Sequence, residues 1–118
     1  MSKTALFIRH QANPGMRGDV QRVWDKYVKP RTAANPGHLA YYFCHDNENP
    51  DVVCVFQLYA SEAAMKEFLS GSWYRDYLAE IVPFIAAGPR ITPATLVWSK
   101  ETPASKNMVD ESVASNSN

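Results

Sequence analysis

Three histidines, one glutamine and a set of aromatic side chains are the residues here whose types and spacing fit chemistry. Strand alternation places His45 on the same face as Gln57 and Tyr59, where aromatic neighbours would keep the imidazole neutral and able to accept a proton near neutral pH. The alternative for His45 is a solvated strand-end histidine. Gln57 both donates and accepts, which suits a ligand carbonyl or phenol, and equally suits a tyrosine hydroxyl within the core. Trp24, Tyr41, Phe43, Tyr59, Phe68, Trp73, Tyr74 and Tyr77 fall at strand and helix periods that would gather them around one pocket or pack them as plain core. Arg9 and Arg75 are cations that could steady a developing negative charge, Arg75 being equally at home in solvent. His10 ends a strand and His38 follows a turn, so either could face solvent, and both rank below His45 as the base.

Other reactive types carry less. Cys44 and Cys54 lack the close spacing of a metal knuckle and are expected to be reduced, buried thiols used in packing. Asp46, Glu48 and Asp51 crowd one segment, but Asn47, Asn49 and Pro50 beside them describe a solvated turn and not a calcium loop. No metal is expected.

These side chains need elements to hold them. Residues 4–10 form a short β-rich apolar run that stops at Asn13-Pro14-Gly15. Met16, Val20, Val23, Trp24, Tyr27 and Val28 then recur at spacings of three and four, the stripe of an amphipathic helix, which Pro30 ends or kinks. Asn35-Pro36-Gly37 turns the chain into residues 39–45 and 52–59, two strands expected to pair as an antiparallel hairpin. One face of that hairpin would carry Leu39, Tyr41, Phe43, His45, Val53, Val55, Gln57 and Tyr59, and the other Tyr42, Cys44, Cys54, Phe56 and Leu58. Both faces are apolar, so a second copy of the chain is expected to cover the outer one. Ser61 caps a helix bearing Met65, Phe68 and Leu69, Gly71-Ser72 interrupts it, and a further helix carries Tyr74, Tyr77, Leu78, Ile81, Val82 and Ile85. Pro83 kinks or ends it, Gly88-Pro89 turns the chain, and residues 91–100 form a last strand, with Pro93 favouring an edge or a bulge near its start. The order is β-α-β-β-α-β.

The 118 residues are enough for one domain with its own core, expected to span 1–100, followed by a polar tail over 101–118 with the composition of a disordered segment. Twelve basic and twelve acidic side chains balance, which gives no pull toward nucleic acid. No apolar run reaches the length of a signal peptide or membrane span, so no membrane association is expected and the protein is expected in the cytoplasm. The expected partner is a small aromatic or hydrophobic molecule.

The element order, Asn13-Pro14-Gly15 before the first helix, the stretch Asn35-Pro36-Gly37-His38-Leu39-Ala40-Tyr41, and VCVFQLYASEAAMKEFLSGSWYRDYL together resemble the antibiotic biosynthesis monooxygenase family, including its quinol monooxygenase-like members. The resemblance covers residues 4–100. It implies an α+β, ferredoxin-like protomer, a dimeric α+β barrel, and oxidation of a quinol, polycyclic phenol or anthrone by dioxygen without metal or flavin. Such an oxygenase takes a proton from its substrate and shields the intermediate from water, and so needs a base, polar anchors and a dry aromatic pocket. His45 is the candidate base, with Gln57 and Tyr59 positioning the substrate. Where members often carry an acidic residue before an apolar residue and tryptophan, this chain has Gln57-Leu58-Tyr59. Phe68 and Trp73 stand where members often have histidines. The alternative is a dimeric module of the same fold that binds a small hydrophobic ligand without catalysis. Haem breakdown would require a helix histidine, and segments 62–70 and 73–85 have none.

Overall fold

The computed structural model describes residues 2–100; the tail expected over 101–118 lies outside the described residues. Four strands, β1 (Thr4–Gln11), β2 (His38–His45), β3 (Val52–Tyr59) and β4 (Arg90–Thr95), form one sheet in the order β2-β3-β1-β4, every neighbouring pair antiparallel. Four helices, α1 (Arg17–Tyr27), α2 (Lys29–Ala33), α3 (Glu62–Leu69) and α4 (Ser72–Ile81), complete the ferredoxin-like α+β plan. The first expected helix is built as a pair, and the two expected on either side of Gly71-Ser72 are present. Val28 joins α1 to α2, whose first turn accommodates Pro30 because a proline lacks only an amide hydrogen that is unpaired there anyway. Gly71 separates α3 from α4, and Pro83 sits in the single 3-10 turn that ends α4.

Ser61 caps α3 as expected, its hydroxyl accepting from the Ala64 amide at 3.1 Å. Gly15 takes the left-handed conformation, φ 79°, that only glycine adopts without cost, and its amide donates to Asp51 Oδ1 at 2.9 Å. Arg17 then donates from Nη1 to the carbonyls of Asp46, Asn49 and Val52, at 3.1, 3.1 and 3.2 Å, so the start of α1 staples the β2–β3 loop. The acidic residues of that loop do turn chemistry: Asp46 Oδ1 accepts the Glu48 and Asn49 amides at 2.7 and 2.9 Å.

Leu6, Ile8, Val53, Val55 and Tyr59 on the inner sheet face pack against Val20 and Met65, while Val23 and Val28 meet Tyr77 and Ile81. Burial of each such aliphatic side chain stabilises the fold by about 1.5–3 kcal/mol. Lys26 and Tyr27 of α1 both reach Glu80 of α4, at 3.1 and 2.7 Å, and clamp the two helices over the sheet.

Three expectations change. A β-bulge between His38 and Ala40 shifts the register of β2, so His38 faces Tyr59 and Tyr41 faces Gln57, while Leu39 is turned out and 48% exposed. Cys44 and Cys54 do pair across β2 and β3, but Cys44 is exposed and Cys54 half-buried, because among the described residues no element covers the outer sheet face. The last strand stops at Thr95, five residues early, where its partner β1 begins at Thr4; past it the Leu96 amide still donates to the Lys3 carbonyl at 3.1 Å. Pro93 does lie on an edge strand.

Candidate functional site

The inner sheet face and the helices enclose a cavity. Ile8, His10, Tyr41, Val55 and Gln57 line it from the sheet, and Val28, Phe68, Leu69, Trp73, Tyr74 and Tyr77 from the helix side, with Pro89 at one end. Its free space is about 20 Å³, room for about one water molecule. Phe68 and Trp73 separate it from an open groove of about 560 Å³ bordered by Arg31, Asn35, Gly37, Ala64 and Glu67. The Trp73 indole lies against the Gly71 backbone so closely that a Cβ there would sit 2.4 Å from Nε1. Glycine at 71 is therefore what lets the indole occupy this wall.

Of the expected pocket residues, Tyr41, Gln57, Phe68, Trp73, Tyr74 and Tyr77 line the cavity. Three stand behind it. Trp24 donates from Nε1 to the Tyr41 hydroxyl at 2.8 Å, Phe43 packs 4.3 Å from the Trp24 ring, and Tyr59 is fully buried beneath Gln57. His45 is not at the cavity: it is exposed at the hairpin end of β2, away from α3 and α4, and its Nε2 pairs with Gln21 Oε1 at 2.9 Å. Arg9 points from the outer sheet face to Asp46, 3.8 Å away, and Arg75 is exposed.

The two histidines ranked below His45 are the ones near the site. His10 lies on the inner face of β1, 4% exposed, and lines the cavity. Among the described residues nothing pairs with its Nδ1. Burial lowers its pKa from 6.5 to about 4, so the ring is neutral at physiological pH. The β2 bulge brings His38 inward, where its ring packs 4.2 Å from that of Tyr59 and edge-on to Phe68 at 4.5 Å.

His38 and Tyr59 converge on one oxygen. Gln57 Oε1 accepts from the Tyr59 hydroxyl and lies 2.9 Å from His38 Nε2, while His38 Nδ1 lies 2.8 Å from Asn35 Nδ2. Since Gln57 presents an acceptor and Asn35 a donor, the imidazole carries its proton on Nε2 and accepts at Nδ1, a neutral tautomer. Desolvation lowers the His38 pKa, which agrees with that assignment. Burial pushes the hydroxyls of Tyr41, Tyr59, Tyr74 and Tyr77 above the ordinary tyrosine value, so they act as neutral hydrogen-bonding groups. The cavity is thus aromatic, uncharged and supplied with a few oriented polar atoms. Strand alternation gave no sign of His38, because it cannot show a bulge; the apolar context of residues 4–10 was a usable sign for His10.

Among the described residues no cluster of three histidine, cysteine or acidic side chains could hold a metal ion, and no helix is long and apolar enough to cross a membrane.

A ferredoxin-like sheet roofed by paired helices over an aromatic cavity is the class of protein that this geometry defines. The profile of the family "Antibiotic biosynthesis monooxygenase" matches residues 5–80, well over half of the chain, and the chain belongs to that family. Among solved structures it is similar to a protein of unknown function from Nitrosomonas europaea, with 26% identity and a TM-score of 0.72 over 85% of this chain and 94% of that one. A putative antibiotic biosynthesis monooxygenase from Chloroflexus aurantiacus gives 24% identity and a TM-score of 0.69, covering 83% and 96% of the two chains. One from Caulobacter crescentus gives 22% and 0.75, covering 82% and 92%, a likeness of fold. No curated protein matches in sequence.

Proposed function

We propose that the chain is a cytoplasmic, cofactor-independent monooxygenase that oxidises a small quinol- or anthrone-type aromatic with dioxygen, and that it works as a homodimer. The observation that carries this reading is the enclosed, uncharged aromatic cavity with polar atoms at Gln57 and His10. For an anthrone the balance is direct: the ring CH₂ becomes C=O, one oxygen atom enters the carbon, and the other leaves with the two hydrogens as water. The four electrons that dioxygen takes come from the substrate itself. What the protein must supply is a dry site that holds the electron-rich ring and its oxygen in place, which aromatic walls and fixed neutral dipoles provide. Phe68 and Trp73 stand between the cavity and the groove, and their displacement would admit a ring too large for the closed cavity.

The second reading, a ligand-binding module without turnover, draws on Gln57, Phe68 and Trp73, three positions without a titrating side chain, and on the weak basicity of His10. Oxygen uptake separates the two. With purified protein, no added metal or flavin, and a panel of quinols and anthrones, saturable uptake above the protein-free rate is expected. Saturable binding with no uptake above that rate would overturn the enzyme reading and leave the binding module.

The dimer rests on the outer sheet face, where Phe7 is 47% and Tyr42 55% exposed and both pack on Phe56 at 5.2 and 6.0 Å. Val97 and Trp98, past the end of β4, also lie open. Sedimentation velocity is expected to give a dimer for the native chain and a monomer for Tyr42→Glu, since a charge on a covered apolar face is left unpaired and desolvated. A native monomer at micromolar concentration would sink the dimer.

A further inference from the structure

We propose that His10 selects the ligand: its Nδ1 accepts a hydrogen bond from the O–H of a phenol or enol held in the cavity, so the site prefers neutral hydroxyaromatics to their ethers. This deepens the function proposed above and rests on its premise that the cavity takes an aromatic ligand.

A buried polar atom without a partner is costly, about 1–3 kcal/mol, and stays in a fold only where something else repays it. His10 is that case. It sits opposite Val53 among Leu6, Ile8, Val53 and Val55, in a position where an aliphatic side chain would pack without leaving an orphan. Its Nδ1 has no partner among the described residues, and its ring lines the one wall of the cavity that β1 supplies beside Ile8. A neutral imidazole in its ordinary tautomer, protonated at Nε2, presents Nδ1 as an acceptor. Burial keeps the ring in that neutral form.

Gln57 supplies the complementary group. Its Oε1 is already taken by Tyr59 and His38, while among the described residues no group accepts from its Nε2. The register sets Gln57 opposite Leu6, four residues before His10 on β1, so the two positions are about 13 Å apart along the strand. With Phe68 and Trp73 displaced, as the proposed function requires, an acceptor at one end and an amide donor at the other match a fused-ring aromatic with a hydroxyl on one edge and a carbonyl on the other. An ether leaves His10 unpaired; an ionised phenolate turns an acceptor toward an acceptor and brings charge into a dry site.

The test compares 2-naphthol with 2-methoxynaphthalene, two probes that differ in the hydroxyl hydrogen, by titration followed through tryptophan emission. The native chain is expected to prefer the naphthol by about tenfold. His10→Phe, which keeps a flat ring and removes the acceptor, is expected to bring the two within about twofold, and His10→Asn, whose Oδ1 falls near the lost Nδ1, to retain part of the preference. A preference that survives in His10→Phe, or is missing from the native chain, overturns the role of His10 and leaves the cavity standing. Failure of both probes to bind overturns the cavity reading itself. A measurement on the native chain does not depend on the variants folding: in ¹⁵N spectra His10 Nδ1 is expected to stay unprotonated and to move when naphthol is added. An Nδ1 that carries a proton in the complex overturns the proposal.

Discussion

Gln57→Leu is expected to lower the unfolding free energy by about 2 kcal/mol, measured as a shift of the urea midpoint at unchanged slope. Leucine fills nearly the same volume on the inner sheet face but offers no acceptor. The Tyr59 hydroxyl, on a residue with no exposure, and His38 Nε2 would both lose the oxygen they share. His38 is only half-buried and can recover a water, so Tyr59 carries most of the loss. Adding Tyr59→Phe to Gln57→Leu is therefore expected to recover about 1 kcal/mol, because the stranded hydroxyl is then removed as well. An unchanged midpoint in Gln57→Leu, or further loss in the double variant, would show that the shared oxygen does not organise this part of the core.

Between pH 6.5 and about pH 4 the stability of the native chain is expected to fall by about 3 kcal/mol as a consequence of His10 alone. In the unfolded chain the imidazole takes up a proton as pH falls below 6.5; in the folded chain burial delays that uptake to about pH 4. Across this window the unfolded state holds more protons, so stability rises with pH; it is fully present above 6.5 and lost on the way down to the folded value. His38, lowered for the same reason, adds in the same direction. Tyr41, Tyr74 and Tyr77 share the cavity with His10, and all stay neutral through this range. The carboxylates of Asp46 and Glu80 are held below their usual values by hydrogen bonds, and their contribution is lost only as pH falls below the ordinary carboxylate range. Urea midpoints at pH 7, 6 and 5 thus isolate the histidines, and His10→Asn is expected to flatten the curve. Equal slopes for the native chain and this variant would mean that His10 titrates as if in water.

Much of the plan that supports these effects was legible in residue spacing. The three-and-four recurrence from Val20 to Val28 is a helix stripe because residues that far apart share one face of a 3.6-residue turn, and Val20, Val23 and Val28 are indeed buried. Pro30, Gly71 and Pro83 each mark a break, since each removes either an amide donor or a side chain that a continuous helix would use. The aromatic residues of α3 and α4 had to share a face with the inner sheet, so Phe68, Trp73, Tyr74 and Tyr77 arrive at the cavity by periodicity.

The polar half of the site was less legible. His45 obeys the alternation that joins it to Gln57, yet the sheet runs on beyond the helices that roof the cavity, and its ring meets Gln21 on α1. His38 defies the alternation because one extra residue at Leu39 reverses the parity of β2 at its start. A single-residue slip sends a side chain to the other face, and no local preference announces it.

The histidines and the aromatic pocket divide along that line. The sequence by itself determined the element order, the breaks in the helices and the gathering of aromatic side chains on one sheet face, because those depend on local turns and on periods of 2 and 3.6 residues. Tertiary structure alone decided which imidazole lies in the cavity, which oxygen His38 and Tyr59 share, and that the cavity is closed by Phe68 and Trp73, because these depend on strand register, on how far the helices extend over the sheet, and on an indole packed against the backbone of Gly71.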